Sequence, residues 1–468
     1  MTSGTSGWLQ RLALDSPSKR AWATYDWANS AFWVIVITAV FPPYYAHVAD
    51  ELGADRAQAN FAWGTAIALA VIAVAAPLLG TLADYRAMKK KLLVFFAFLG
   101  AVASGALFFV QPGDWMLALI LFGVANIGAS GSVVFYDALL PHVAKRDEVD
   151  RLSTSGFALG YVGGGLLLGL SILWIKFPGL FGLPTGEGLS ASESTLPVRL
   201  SFLAVGVWWF LFTLPLLLRV GEPPRDPSAE PASGQRSLLG IAFRRLGTTF
   251  HELRRYRQAF LFLLAFLVYN DGILTIIRMA TLYATSHELS QGVVIGTILG
   301  IQFAAVPFAF LFGQLASRFG AKRLIFAGLA VYALITVRAF FIKTDVDFIV
   351  LGLLVATVQG GTQALSRSVF ASLIPARKSG EFFAFFSIGE KFAGVLGPSL
   401  YALIIGLTDS SRIAILSILF FFVAGALLLT RVDIEEGRRT ARAMDEAGQS
   451  TKKGLDQAAP PSSCTTRT

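Results

Sequence analysis

The chain has 468 residues, is 54% hydrophobic and 15% charged, and carries a formal net charge of +9. Its mean hydropathy of +0.62 is more than a soluble fold of this length can bury, whereas a bilayer accepts apolar runs of about 20 residues each. This excludes a soluble globular protein. It also speaks against a nucleic-acid partner, because the basic residues lie in short connections between apolar segments, where they act as a topology signal.

The first apolar span opens with YDWANSAFWVIVITAVFPPYY, residues 25–45. Asp26, Asn29 and Ser30 fall at i, i+3 and i+4 and share one helix face, and Pro42 and Pro43 stop the run. An ionisable group at the head of a membrane-length helix is expensive unless it faces protein or water, so this face is a candidate lining for a solute pathway. The first half of the chain predicts spans near 22–46, 61–83, 92–111, 115–139, 153–176 and 198–218. The second half predicts 259–284, 292–316, 323–343, 347–373, 381–406 and 411–431. The expected fold is all-α and membrane-integral, with 12 transmembrane helices in two related six-helix halves. Around the bundles 22–218 and 259–431 lie an N-terminal stretch 1–21, a linker 219–258 and a tail 432–468. The linker holds Pro223, Pro224, Pro227 and Pro231 before a basic run through Arg257, and reads as a surface connection ending in an amphipathic helix. The charged, then Ser/Thr/Pro-rich tail reads as disordered.

Lysine and arginine are distributed unevenly. One set of connections holds Arg86, Lys89, Lys90 and Lys91, then Lys145, Arg146 and Arg151, the eight arginines of the linker, Arg318, Lys322 and Arg323, and Arg377 and Lys378. The opposite set holds Arg56, Lys176, Arg199, Lys343 and Arg412. The asymmetry places the first set, both termini and the linker in the cytoplasm. The sole cysteine, Cys464, and four scattered histidines offer neither a disulfide nor metal-ligand spacing, and no cofactor motif appears.

The halves repeat one another. Gly80-Thr81-Leu82-Ala83-Asp84 after the second span returns as Gly313-Gln314-Leu315-Ala316-Ser317, Leu140-Pro141 returns as Ile374-Pro375, and Tyr25-Asp26 is echoed by Tyr269-Asn270-Asp271. Six spans duplicated in the same orientation fit the parallel repeats of transporters. GTLADYRAMKKK, residues 80–91, resembles the loop between helices two and three of the major facilitator superfamily. It departs from that pattern at Ala87, where glycine is usual, and the second copy carries Ser317 in place of the acid. Gly80 allows close helix approach, while Asp84 can pair with a cation or cap a helix N-terminus across the interface; with Arg86 they form the expected cytoplasmic gate. The bland reading is a basic turn that only fixes topology.

YDWANSAF with FPPYY, YDALLP at 136–141, YNDGI at 269–273, GGTQALSRSVFASLIP at 360–375 and EFFAFFSIGEKFAGVLGP at 381–398 resemble the vacuole-effluxer branch of this superfamily. The resemblance implies a secondary transporter and, by analogy with the fungal autophagy-related member, export of amino acids. It also implies that helices one, four, seven and ten line a central cavity.

Polar residues within the spans agree. The fourth span carries Asn126, Ser130 and Asp137 near one face, the seventh Asp271, Thr275 and Arg278, the tenth Gln359, Gln363 and Arg367, and the eleventh Glu390 and Lys391. Asn29, Asn126, Gln359, Gln363, Arg367 and Lys391 are the candidates for binding substrate. Arg367 and Lys391 suit a carboxylate, Asp26 or Asp271 an ammonium, and together a zwitterion. Asp26, Asp271, Arg278 and Asp137 are the candidates for proton coupling or charge pairing. Against this, Asp26 and Asp271 can simply cap helices, and Asp137 can pair structurally with Lys145 or Arg151. In the fifth span Gly156, Gly160 and Gly164 form a smooth face for close packing or sliding. The expectation is a monomeric, multi-pass transporter of the bacterial cytoplasmic membrane, not an enzyme, that exports amino acids or similar zwitterions by alternating access. Multidrug efflux and a non-transporting scaffold are the alternatives.

Overall fold

A computed structural model describes residues 4–52, 54–145, 147–224, 251–285, 287, 289–408 and 410–458; the side chains of 388–395 lie outside what it describes. Every regular element among the described residues is helical. A short α1 (Gly4–Arg11) precedes α2 (Pro17–Ala31), which starts where the Ser16 hydroxyl accepts from the Lys19 N–H and Pro17 needs no hydrogen-bond partner. α2 continues as a π-helical stretch, Phe32–Ala39, and bends by 47° into α3 (Phe41–Val48). Pro42 and Pro43 cannot donate to the turn before them, so the expected first span is a bent pair rather than one rod. There follow α4 (Ala54–Arg86), α5 (Lys89–Ala106), α6 (Trp115–Val143), α7 (Val149–Lys176) and α8 (Ala191–Arg219). The second half holds α9 (Arg257–Thr285), α10 (Gln291–Phe319), α11 (Ala321–Phe340), α12 (Asp345–Leu373), α13 (Ser379–Thr408) and the pair α14 (Ser411–Ser417) and α15 (Leu419–Thr430). Among the described residues nine helices are long and apolar enough to cross a bilayer, or ten with the bent pair taken as one span.

The bundle is inside-out relative to a soluble protein. Phe95, Phe98, Val102, Leu403, Leu407, Phe420 and Leu427 stand exposed on its outside, while Trp22, Tyr25, Tyr136, Tyr269 and Trp209 are buried within it. That arrangement suits a lipid surround, where the backbone is satisfied inside each helix. Small residues set the closest crossings: a Cβ on Gly131 of α6 would meet the Phe96 ring of α5 at 2.6 Å, and one on Gly160 of α7 would meet Ser30 Oγ of α2 at 2.5 Å.

The end of the bundle where α4 stops and α5 starts, and where α6, α12 and α15 stop, carries the Lys/Arg-rich connections; it is called the basic end below. The tail differs from expectation. Ile434–Ala458 forms a helix, α16, whose first turns dock on that end. The Asp433 N–H donates to Gln258 Oε1 at 2.8 Å, Arg438 Nε donates to Ser372 Oγ at 3.2 Å, and Ala441 is fully buried. Alternating Glu and Arg with Ala and Gly at helical spacing gave α16 one small-residue face, which composition alone disguised as disorder. The linker helix expected before Arg257 falls largely on residues 225–250, outside those described.

Candidate functional site

Polar contacts between the first and second halves of the chain gather toward the basic end. At their centre is Arg367, buried on α12 two turns before its end. Its Nη1 lies 3.2 Å from Asp137 Oδ1 of α6, and its Nη2 lies 3.2 Å from Asp26 Oδ2 of α2. On α7, Nε donates to Ser153 Oγ at 2.9 Å and Nη2 to the Ser153 carbonyl at 3.0 Å. The guanidinium also lies over three rings, with centroid distances of 5.0 Å to Trp22, 5.4 Å to Tyr136 and 4.5 Å to Phe157. Tyr136 donates its hydroxyl to Asp26 Oδ2 at 2.8 Å, and Trp22 Nε1 donates to the Tyr136 carbonyl at 3.1 Å. The smooth glycine face of α7 allows this convergence, since a Cβ on Gly156 would collide with Asp26 Oδ2 and crowd Arg367 Nη2. A buried arginine is tolerable only when its charge and donors are met, and here both are.

A second cluster lies further out on the same end. Asp84, at the last turn of α4, accepts from the N–H groups of Gly380 (3.1 Å) and Glu381 (2.9 Å), capping the first turn of α13 across the halves. Lys89 at the start of α5 pairs with the same carboxylate at 2.7 Å. The Lys89 ammonium also donates to His142 Nε2 at 3.0 Å, and Ser379 donates its hydroxyl to the Ala138 carbonyl at 2.8 Å. A Cβ on Gly80 would fall 2.6 Å from the Gly380 carbonyl, so α4 and α13 cross almost backbone to backbone. Arg86, expected in this group, is exposed, and the cation that meets Asp84 is Lys89. In the second copy of the motif the Ser317 hydroxyl donates within its own helix, to the Gln314 carbonyl, while Thr154 of α7 packs against Gly313.

The remaining candidates divide. Asn29 and Asn126 are buried, Asn126 accepting from Ser130 at 3.3 Å, and Gln359 and Gln363 are half-buried on α12, two turns and one turn before Arg367. Asp271 is 1% exposed; its carboxylate makes no close hydrogen bond among the described residues, and the groups that act on it are the Gly397 N–H and the Arg278 charge, while the Asn270 amide beside it makes no hydrogen bond there. Arg278 is exposed and does not join the Arg367 cluster. Lys391, with its neighbour Glu390, lies outside the described side chains. Asp26 and Arg367, expected to meet opposite ends of a solute, meet each other, and the cation that reaches Asp137 is Arg367 rather than Lys145 or Arg151. Sequence reasoning missed Trp22, Tyr136, Ser153, Phe157, Lys89 and His142. Tyr136 had a signal, being the neighbour of Asp137 in YDALLP, and Ser153 and Phe157 share a face of α7 at i and i+4.

The family model described as vacuole effluxer Atg22 like matches residues 57–442. The uncharacterized MFS-type transporter YxiO of Bacillus subtilis (strain 168) is 38% identical over 428 residues, which is 89% of this chain and 95% of that protein. Autophagy-related protein 22 of Coccidioides immitis (strain RS) is 24% identical over 513 residues, 93% of this chain and 82% of its own. Among solved structures, the fucose transporter FucP in the outward conformation aligns with a TM-score of 0.65 at 14% identity, covering 89% of this chain and 98% of that one. The proton:xylose symporter XylE aligns with a TM-score of 0.63 at 12% identity, covering 89% and 95%. Those two likenesses carry the fold alone, which is that of the major facilitator superfamily. With a family model spanning most of its length and a relative of high identity over nearly all of both chains, this multi-pass membrane protein belongs to the vacuole effluxer Atg22-like family of major facilitator transporters.

Proposed function

We propose that the protein is a secondary transporter that exports amino acids or similar small zwitterions by alternating access across a bacterial cytoplasmic membrane, with its basic end in the cytoplasm. The observation that carries this reading is the Arg367 cluster, in which a cation from one half of the chain is held by two carboxylates from the other. A salt bridge that joins the halves is a closed gate, and it carries both charges that a zwitterion needs. When the halves part at this end, Arg367 is available to a carboxylate and Asp26 to an ammonium, and a solute that supplies both replaces the lost pair. The description of the family as effluxers supports the outward direction, and the cap of Asp84 on α13 supports a conformation closed at the basic end.

Proton coupling belongs to the same reading, and Asp271 is its stronger candidate. Asp26 is engaged by Arg367 and Tyr136, whereas the buried Asp271 carboxylate makes no close hydrogen bond among the described residues and is the freer of the two to take up and release a proton. The test is transport by purified protein in proteoliposomes. An imposed pH gradient is expected to drive accumulation of a labelled amino acid, and Asp271→Asn to abolish that accumulation while leaving exchange down a gradient. Unchanged accumulation in Asp271→Asn would reject the residue, and absence of amino-acid exchange in the unmodified protein would reject the substrate class.

A further inference from the structure

The groups that hold the Arg367 guanidinium all come from the first half of the chain: Trp22 and Asp26 on α2, Tyr136 and Asp137 on α6, Ser153 and Phe157 on α7. Arg367 itself comes from α12 in the second half. Three of the holding groups are also tied to one another without it. Trp22 stacks on Tyr136 at 4.3 Å with the planes 15° apart, Trp22 Nε1 bonds the Tyr136 carbonyl, and the Tyr136 hydroxyl bonds Asp26. Removing the Arg367 side chain therefore leaves Trp22, Tyr136 and Asp26 tied together, and the Ser153 hydroxyl still donates to the Ala364 carbonyl of α12 at 2.8 Å.

The geometry points to a guanidinium receptor in the first half of the chain, which Arg367 fills as a tethered surrogate in this conformation and a guanidinium-bearing solute fills in the opposite one. This rests on the alternating-access reading and names the solute class for the same site. Shape and charge both favour that class. The cage offers two carboxylate oxygens, one hydroxyl and one carbonyl to the edge of a planar cation and three rings to its faces. A planar fork of N–H donors satisfies such a site better than a compact ammonium, and a neutral solute leaves two carboxylates with an unmet charge. When α12 withdraws, Asp26 loses its ionic partner, so an incoming cation stabilises the open state. Return of Arg367 competes for the same oxygens and expels the solute's head from this end. Arginine has the guanidinium and a carboxylate for the freed Arg367, while agmatine keeps the guanidinium and lacks the carboxylate.

Binding and flux separate the receptor from the transport reading. In detergent, methylguanidine is expected to raise the Tm of Arg367→Ala, whose cage is vacant, and to leave the Tm of Arg367→Ala combined with Asp26→Asn and Asp137→Asn unchanged. No shift in the folded single variant, or an equal shift in both, would overturn the receptor. In proteoliposomes, which need no variant, the unmodified protein is expected to exchange labelled arginine for internal arginine or agmatine. Asp137→Asn should raise the half-saturating arginine concentration by about thirtyfold or more. Exchange of leucine without arginine or agmatine would overturn the inference and leave the zwitterion reading standing. No exchange of any of the three would remove the amino-acid substrate reading, and the thermal shift would then decide the receptor by itself.

Discussion

Arg367 shows how a charge is kept inside a membrane bundle. Burial strips the guanidinium of water, but two carboxylates, the Ser153 hydroxyl and carbonyl and three ring faces replace it. Truncating one member of such a group leaves an uncompensated charge and costs about 3–5 kcal/mol, more than removing opposite charges together. Arg367→Ala is therefore expected to lower the thermal stability of the purified protein markedly, and Asp26→Asn in the same molecule to recover part of the loss. If the double variant is as unstable as the sum of the two singles, the pair is not coupled in the folded state. Asp271 is met more loosely: the Gly397 N–H and the Arg278 charge act on its buried carboxylate, which makes no close hydrogen bond among the described residues.

Among the elements, α4 and α13 form a close seam at the basic end. A Gly80 side chain would strike the Gly380 carbonyl, and the Asp84 cap lies one turn further along α4. Gly80→Val should push α13 away and break the cap, seen as a lengthened spin-label distance between the basic ends of α4 and α13; an unchanged distance would show that the seam yields elsewhere. The segment before α2 is tied down by a different pair. Lys19 bonds Asp15 at 2.8 Å and Glu148 at 2.6 Å, and the Ser155 hydroxyl donates to the Leu12 carbonyl at 2.7 Å. The hydrogen bond from Lys19 holds the Asp15 carboxyl below its ordinary value. A carboxylate with a depressed pKa contributes stability above its unfolded value, near about 3.9, and loses it as the pH falls through the folded value. Amide protection in residues 7–16, taken relative to the intrinsic exchange rate at each pH, is thus expected to fall below that pH, and Asp15→Asn to show the lower protection at neutral pH already.

On the scale of the molecule, the exposed aliphatic and aromatic belt and the Lys/Arg-rich end together orient the bundle. The proposed topology puts the basic end and the tail in the cytoplasm, and on it Cys464 should react with a membrane-impermeant maleimide only after cells are permeabilised; labelling of intact cells would invert that topology. Helix α16 straps the same end. Lys322 reaches the Val432 carbonyl at 2.6 Å, Gln258 bonds Glu436 at 2.5 Å, and a Cβ on Gly437 would press on Leu373 and on Gln258 Cβ. Truncation after residue 431 removes supports from α9, α11 and α12 together. The expected result is a lower Tm, with the helical content of the spans retained by circular dichroism.

Much of this was legible before any tertiary contact. Apolar run lengths, the basic asymmetry and the repeated Gly80 and Gly313 motifs determined a helical membrane bundle of duplicated design, because bilayer thickness and charge placement act on local sequence. Helical spacing likewise put Asp26 and Arg367 on polar faces. Which charge meets which was decided only by the packing of α2, α6, α7 and α12, since partners 341 and 230 positions apart leave no local trace. The same holds for Lys89 taking the place expected of Arg86, and for the tail that became α16. The sequence determines which residues must find partners, and only the crossing of the helices decides who those partners are, because burial makes a charge demand a partner without saying where along the chain it lies.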